Sequence, residues 1–285
     1  NLGMRVYGNT HGINAGYPSS RYSLSCMVIG AQDNDMQRDY AYTVSRKASL
    51  LQSASAVGID AAKATVDRLG ARKINTANVP VLLHRDIASS LFGHYVGAIS
   101  GGSLYRRSSF LLDSLGKQVF PEWLNIEERP FIKGGLASSS FDNEGVACSD
   151  MTIVDGGKLA TYLYTTYSSR KLNTRSNGHA GGIHNWLVGD TGHSDADLLK
   201  EMGTGLFVTE LMGQGVNGVT GDYSRGAAGY WVENGIIQYP VHEVTIAGNL
   251  KDMFKGIVAI GAEKDVRGSV QTGSVLIDQM KIAGS

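Results

Sequence analysis

The chain has 285 residues, 42% hydrophobic and 18% charged, and its 26 basic and 26 acidic side chains leave a formal net charge of zero. That composition is globular, fills one large domain or two modest ones, and excludes a disordered chain. Charge neutrality removes the long-range field that draws a protein to nucleic acid or anionic lipid, and no apolar run approaches the roughly 18–20 residues of a membrane-crossing helix.

Two cysteines, Cys26 and Cys148, are too few for a secreted disulfide framework. With no signal peptide at the start, this predicts a cytoplasmic protein with reduced thiols. The chain opens at Asn1 in mid-pattern and reads as part of a longer protein. Glycine is abundant (37) and proline scarce (5), which calls for many tight turns between strands.

In chain order, residues 3–8, 22–29 and 39–45 are rich in Tyr, Val and Ile and read as antiparallel strands. Asp60 is the expected cap of a helix over 61–69 that ends at Gly70. Residues 79–83 form a short apolar strand, His84 follows, and Ile87, Leu91, Phe92, Tyr95, Val96 and Ile99 mark one face of a helix that Gly101-Gly102 should stop. A further short helix is expected up to Leu115. Beyond it, strands over 145–154 and 158–164 flank the turn Asp155-Gly156-Gly157. Residues 166–171 read as a short helix or turn. Ser194 or Asp195 should cap a helix through Met202. Strands over 206–211, 229–232 and 236–239 (turning at Asn234-Gly235), 241–247, 257–260 and 275–277 complete the pattern, with 250–254 helical. The fold class is α+β: a large, mostly antiparallel or mixed β-sheet, open and barrel-like, with a few packed helices. Two regions are expected. Residues 1–75 supply strands and a helix leading from an N-terminal domain not present in this sequence, and residues 76–285 form a C-terminal β-rich domain.

Metal hydrolysis needs three ligands and a carboxylate base, for which a helix commonly uses His-Glu-x-x-His. Here Arg85 follows His84, and His94 lies about 280° round the helix from His84, so one ion cannot bridge them. His179 and His184 are five apart in the glycine-rich loop SNGHAGGIHNW and form a better pair, with His193 as a further candidate. Ser89, Ser90 and Ser138-Ser139-Ser140 lack a Gly-x-Ser-x-Gly elbow. Cys26 and Cys148 read as packed thiols without an activating neighbour. Gly213-x-Gly215-x-x-Gly218 has dinucleotide-site spacing, but no helix follows to hold a pyrophosphate.

Four stretches resemble the TldD/PmbA (TldD/TldE) family: LFGHYVGAISGGSLYRRSSFLLDSLGKQVFPEWL, SNGHAGGIHNW, KEMGTGLFVTELMGQGVNGVTGDYSRGAAGYWVENGIIQYPVHEVTIAGNLKDMF and the terminal MKIAGS. The likeness spans essentially the whole chain and is greater to the PmbA (TldE) half. The resemblance implies a cytoplasmic metalloprotease that matures or degrades small unfolded peptides as a pair of TldD-type and TldE-type subunits, with the older label of gyrase modulator. In TldD-type members the zinc motif is His-Glu-x-x-x-His with a later cysteine. On this sequence the matching positions are His84, Arg85, Ser89 and Ala262, so the base and two ligands are missing. The implied role is therefore a non-catalytic partner, with no metal or cofactor of its own and zinc in the TldD-type subunit. Its partners are that subunit and unfolded peptide, not nucleic acid or membrane; a homodimer is left open. His179, His184, Asn185 and Gln214 are expected at the substrate groove or subunit interface. The rivals are an independent metallopeptidase with a relocated site and a non-enzymatic adaptor.

Overall fold

A computed structural model describes residues 1–284. The chain begins with two antiparallel hairpins, β1 (Leu2–Gly8) with β2 (Asn14–Ser20), and β3 (Tyr22–Gln32) with β4 (Asp35–Ser45). Helix α1 (Ala54–Val66) packs on the second hairpin, where Gly30 leaves room for Thr65 and the Thr65 hydroxyl donates to Ala61 O at 2.8 Å. The helix starts earlier than the predicted 61–69. Ser53, not Asp60, is the cap, because its hydroxyl accepts from Ala56 N at 3.1 Å, whereas Asp60 lies exposed in mid-helix.

The centre of the molecule is β5 (Ala77–Leu83), whose residues Val81, Leu82 and Leu83 are fully buried. Both faces are covered, so it reads as a continuous apolar run and not as an alternation. Val81 and Leu83 face the main core with Leu91, Phe92 and Tyr95 of α2 (Arg85–Ile99). Leu82 faces the smaller core with Leu198 and Met202 of α5 (Asp195–Met202). β5 pairs parallel with β10 (Gly205–Met212) and antiparallel with β15 (Val275–Ala283). β10 is followed by β11 (Asp222–Glu233) and β12 (Ile236–Asn249). β12 then pairs with β15 through Thr245↔Ala283, Ile246↔Ile282 and Ala247↔Lys281. Five strands thus form a mixed ring, closed where the sequence suggests an open one, and β13 (Ile257–Ile260) extends it along β15. Closure leaves those five strands fewer free edges.

A second sheet lies beside the ring in the order β14 (Val270–Gln271), β9 (Trp186–Val188), β6 (Ile126–Glu128), β7 (Met151–Asp155) and β8 (Lys158–Leu159). Between the two, the Phe120 ring lies 4.9 Å from both Tyr95, edge to face, and Phe254, tilted, the latter on α6 (Leu250–Lys255). The fold is α+β. Turns at Gly156-Gly157 and Asn234-Gly235 have the positive φ that a two-residue hairpin requires.

Several local expectations change. Gly101 does not end helical structure: the chain bends at Ser100, and a new short helix α3 (Gly101–Tyr105) begins, capped by the Ser100 hydroxyl. Gly101 serves instead as a close contact, since a Cβ there would strike the Ser168 side chain on α4 (Thr166–Lys171). The helix expected up to Leu115 is a series of turns, with Arg107 and Asp113 in left-handed conformation. The strands predicted over 145–154 and 158–164 shrink to β7 and β8, because the flanking residues are drawn into loops around the second sheet. Among the described residues no helix is long and apolar enough to cross a membrane.

Candidate functional sites

The first candidate lies where β5 feeds α2. His84 caps the helix and its Nδ1 accepts from Asp86 N at 3.4 Å, while its own backbone N donates to Val208 O at 2.9 Å. Burial holds its imidazole below the ordinary histidine pKa, against the pull of Asp86. The Arg85 guanidinium pairs with Glu263 and stands 3.8 Å from Asp195. That contact draws the loop carrying Ala262 against the start of α2. Ser89 is half-buried on α2, and Ala262 is exposed, its N donating to His193 O at 2.9 Å. His193 is therefore beside Ala262, bonded through Nδ1 to Thr191 Oγ1 at 2.7 Å, and not beside His179 and His184. One imidazole, a guanidinium, a hydroxyl and a methyl do not make a zinc site. The positive charge of Arg85 repels a cation, and the Glu263 carboxylate beside it is already paired with that guanidinium.

A groove of about 680 Å³ opens in front of these residues. One wall is residues 39–44 of β4, and the others are His84–Ile87 and residues 264–267. Among the described residues β4 pairs only with β3, so its other edge carries no strand. Arg267 spans the groove floor: it pairs with Asp86, bonds Asp265 Oδ1 at 2.8 Å, and lies 4.3 Å above the Tyr42 ring.

The second candidate is a buried polar cluster under the second sheet. β6 carries Glu128, and the antiparallel register places it opposite Trp186 of β9. Glu128 Oε2 accepts from Trp186 Nε1 at 2.7 Å and from His184 N at 3.1 Å. Its Oε1 faces His184 Nδ1 at 3.1 Å and His179 Nε2 at 3.0 Å. The His179 contact has ion-pair length, yet the oxygen lies off the axis of the ring nitrogen, which has no aligned hydrogen-bond partner. Beyond His184, its Nε2 is 3.6 Å from Cys148 Sγ. Glu128, His179 and His184 are 1%, 6% and 7% exposed. Burial alone would raise the Glu128 carboxyl, but the two imidazoles outweigh it and bring the pKa down to about 2. Burial alone would lower His184, but Cys148 and Glu128 outweigh it and carry the pKa up to about 9.

One ligand atom from each of Glu128, His179 and His184 lies within 4.8 Å of the others, so this chain does contain a cluster able to hold a metal ion. That corrects the expectation of none. Cys148, read from the sequence as a packed thiol, is buried, with His184 Nε2 as a neighbour that the sequence does not reveal. Asn185 is fully buried in left-handed conformation (φ 47°). It locks the loop by accepting from Ala137 N at 3.1 Å and donating to Arg129 O at 2.9 Å. Gln214 is exposed in the segment between β10 and β11, with no side-chain bond to the cluster. Of the four residues singled out in the sequence, His184 alone lines a cleft of about 290 Å³, together with Arg5, Arg46, Ser138 and Gly181. Glu128 was not foreseen; its one local signal is that it shares a strand face with buried Ile126.

The PmbA/TldA metallopeptidase central domain matches residues 1–69 and the corresponding C-terminal domain matches residues 76–284. The metalloprotease PmbA of Escherichia coli O157:H7 is 57% identical over 99% of the chain, and the PmbA homologue of Haemophilus influenzae is 56% identical over 99%. The chain spans 63% of the length of both relatives. A Thermotoga maritima structure described as a modulator of a DNA gyrase is 30% identical, with a TM-score of 0.91 over 99% of this chain and 67% of that one. TldE from Thermococcus kodakarensis shares the fold with a TM-score of 0.88 at 19% identity, over 99% of this chain and 67% of its own. Matched along both of its regions, the chain belongs to the PmbA/TldA metallopeptidase family.

Proposed function

We propose that this chain is the non-catalytic, TldE-like subunit of a two-subunit metallopeptidase, completing the groove of a zinc-bearing TldD-type partner and helping to bind unfolded peptide. The observation that carries this reading is the Arg85 guanidinium at the position where catalysis would need a carboxylate base, already paired with Glu263. The chain can still present a binding surface there. The strand-free edge of β4, where Arg267 Nη1 donates to Tyr42 O at 3.3 Å, lines the same groove as His84 and Arg85. An extended peptide added to that edge would gain backbone hydrogen bonds without strict sequence demand, which suits unfolded substrates. His184, at a separate cleft, and exposed Gln214 are further contact candidates, while buried His179 and Asn185 hold the loop that presents His184.

The test is reconstitution with a zinc-loaded TldD-type subunit and an unfolded peptide. The chain alone should cleave nothing, the pair should cleave, and Arg85→Ala should leave the chain alone inactive. A peptide N-methylated at alternate residues should bind the pair more weakly than its parent. Cleavage by the isolated chain, or equal binding of both peptides, would overturn the corresponding part of the reading.

A further inference from the structure

The Glu128 cluster contains an atom that hydrogen bonding does not explain. Asn177 is fixed in orientation by the backbone at both ends of its amide: Oδ1 accepts from Tyr164 N at 2.7 Å and Nδ2 donates to Tyr162 O at 2.8 Å. The oxygen is therefore what faces His179 Nδ1 at 2.9 Å, and that ring nitrogen must carry a proton. In a neutral imidazole this leaves Nε2 as a lone pair. That lone pair is directed into a site 94% shielded from solvent, 3.0 Å from a carboxylate oxygen. Two lone pairs at that distance repel unless something positive lies between them. A proton on Nε2 would relieve that repulsion as an ion pair but without an aligned hydrogen bond, which needs the oxygen on the nitrogen's axis. A metal ion has no such need, because it sits on the nitrogen's axis while a second ligand approaches from the side.

The surroundings match what a metal site requires. His184 brings a second imidazole, and a ligand atom of each of the three side chains falls within one coordination sphere. The supports are in place too. Asn177 orients His179, and Trp186 Nε1 and His184 N hold the far oxygen of Glu128, so that Oε1 is the oxygen turned toward both imidazoles. Cys148 Sγ lies next to His184 Nε2. None of these residues belongs to the set at His84, Arg85, Ser89 and Ala262. We propose that Glu128, His179 and His184 bind a divalent transition metal of the zinc class, pinning the loop before β9 onto β6. The ion has a structural task, fixing the wall of the cleft that His184 lines, and the proposal stands whether or not the chain pairs with a TldD-type subunit.

Full chain stripped with a chelator is titrated with zinc against a chromophoric competitor, and the bound metal is counted by mass spectrometry. We expect about one zinc per chain. His179→Gln and Glu128→Gln should each weaken binding at least about tenfold, while His84→Ala keeps the parent's affinity. Cobalt(II) added to unmodified chain needs no variant to fold, and it should give the intense visible bands of a four-coordinate ion. Zinc well below stoichiometric together with no cobalt spectrum, or zinc retained in the His179→Gln, Glu128→Gln double variant, would overturn the site. Loss of zinc with His84→Ala would place the ion at the motif positions, overturning both this proposal and the non-catalytic reading.

Discussion

Arg85 is ion-paired with Glu263, so the position where a zinc peptidase would hold its base is tied by a salt bridge to the residue next to Ala262, the position matching a ligand. Both partners keep substantial solvent contact, at 32% and 60% side-chain exposure. Pairs of that kind contribute at most about 1 kcal/mol. Arg85→Ala should therefore shift the urea midpoint little and should not create zinc binding, because His84 would remain the sole ligand. In a His179→Gln background, Arg85→Glu combined with Ser89→His and Ala262→Cys should gain zinc. Zinc uptake by Arg85→Ala in that same His179→Gln background would show that charge, and not ligand loss, had closed the position.

Trp186 is fully buried and its indole N–H is one of the two donors to Glu128 Oε2. Trp186→Phe keeps most of the apolar volume but takes that donor from a buried carboxylate. The expected loss is about 1.5–3 kcal/mol, as for hydrogen bonds to charged groups. Equilibrium unfolding in urea measures it, and a loss near zero would mean that water replaces the indole.

Gly229 sits in β11 where the register with β10 and β12 shifts, and a Cβ there would fall inside van der Waals contact of Phe207 O. Gly229→Ala must push two paired strands of the ring apart. A cost of at least about 2 kcal/mol is expected, read as a lowered melting temperature with an unchanged far-ultraviolet spectrum.

In the metal-free chain the cluster should give stability a defined pH window. The Glu128 carboxyl is depressed from 4.5 to about 2, so its contribution is fully present above pH 4.5 and is lost as pH falls through 2. His184 is raised from 6.5 to about 9, so its contribution is fully present below pH 6.5 and is lost as pH rises through 9. With chelator present, unfolding free energy should fall between pH 6.5 and 9. His184→Gln should flatten that limb; an unaltered limb would assign it to other groups.

How much of this was legible in the sequence depended on whether the signal was local. The hairpin turns at Gly156-Gly157 and Asn234-Gly235 follow from dipeptides, and the cap of α5 is narrowed by the sequence to Ser194 or Asp195, of which Ser194 is the one that caps. His179 and His184 stood out because they share one glycine-rich loop. Glu128 did not, since it lies 56 residues before His184 in a three-residue strand, and only the β6–β9 register brings it there. The same holds for Cys148, 36 residues from His184 and joined to it only by the fold. The misplaced start of α1 is a smaller lesson: Asp60 and Ser53 are both cap-forming residue types, and the choice between them rests on what the helix packs against.

The ring's closure has a bearing on how the protein is made. β15 pairs with β5, β12 and β13, so a strand near residue 280 fills a place beside one near residue 80. During synthesis β5 and β10 emerge long before the strand that completes their sheet. A ribosome carrying the chain holds an incomplete barrel with apolar Val81 and Leu83 lacking one neighbour, until residues 275–283 have cleared the exit tunnel. Completion of the ring thus waits on contacts between residues about 200 apart, which slows folding, and loss of β15 would leave the edges of β5 and β12 unpaired.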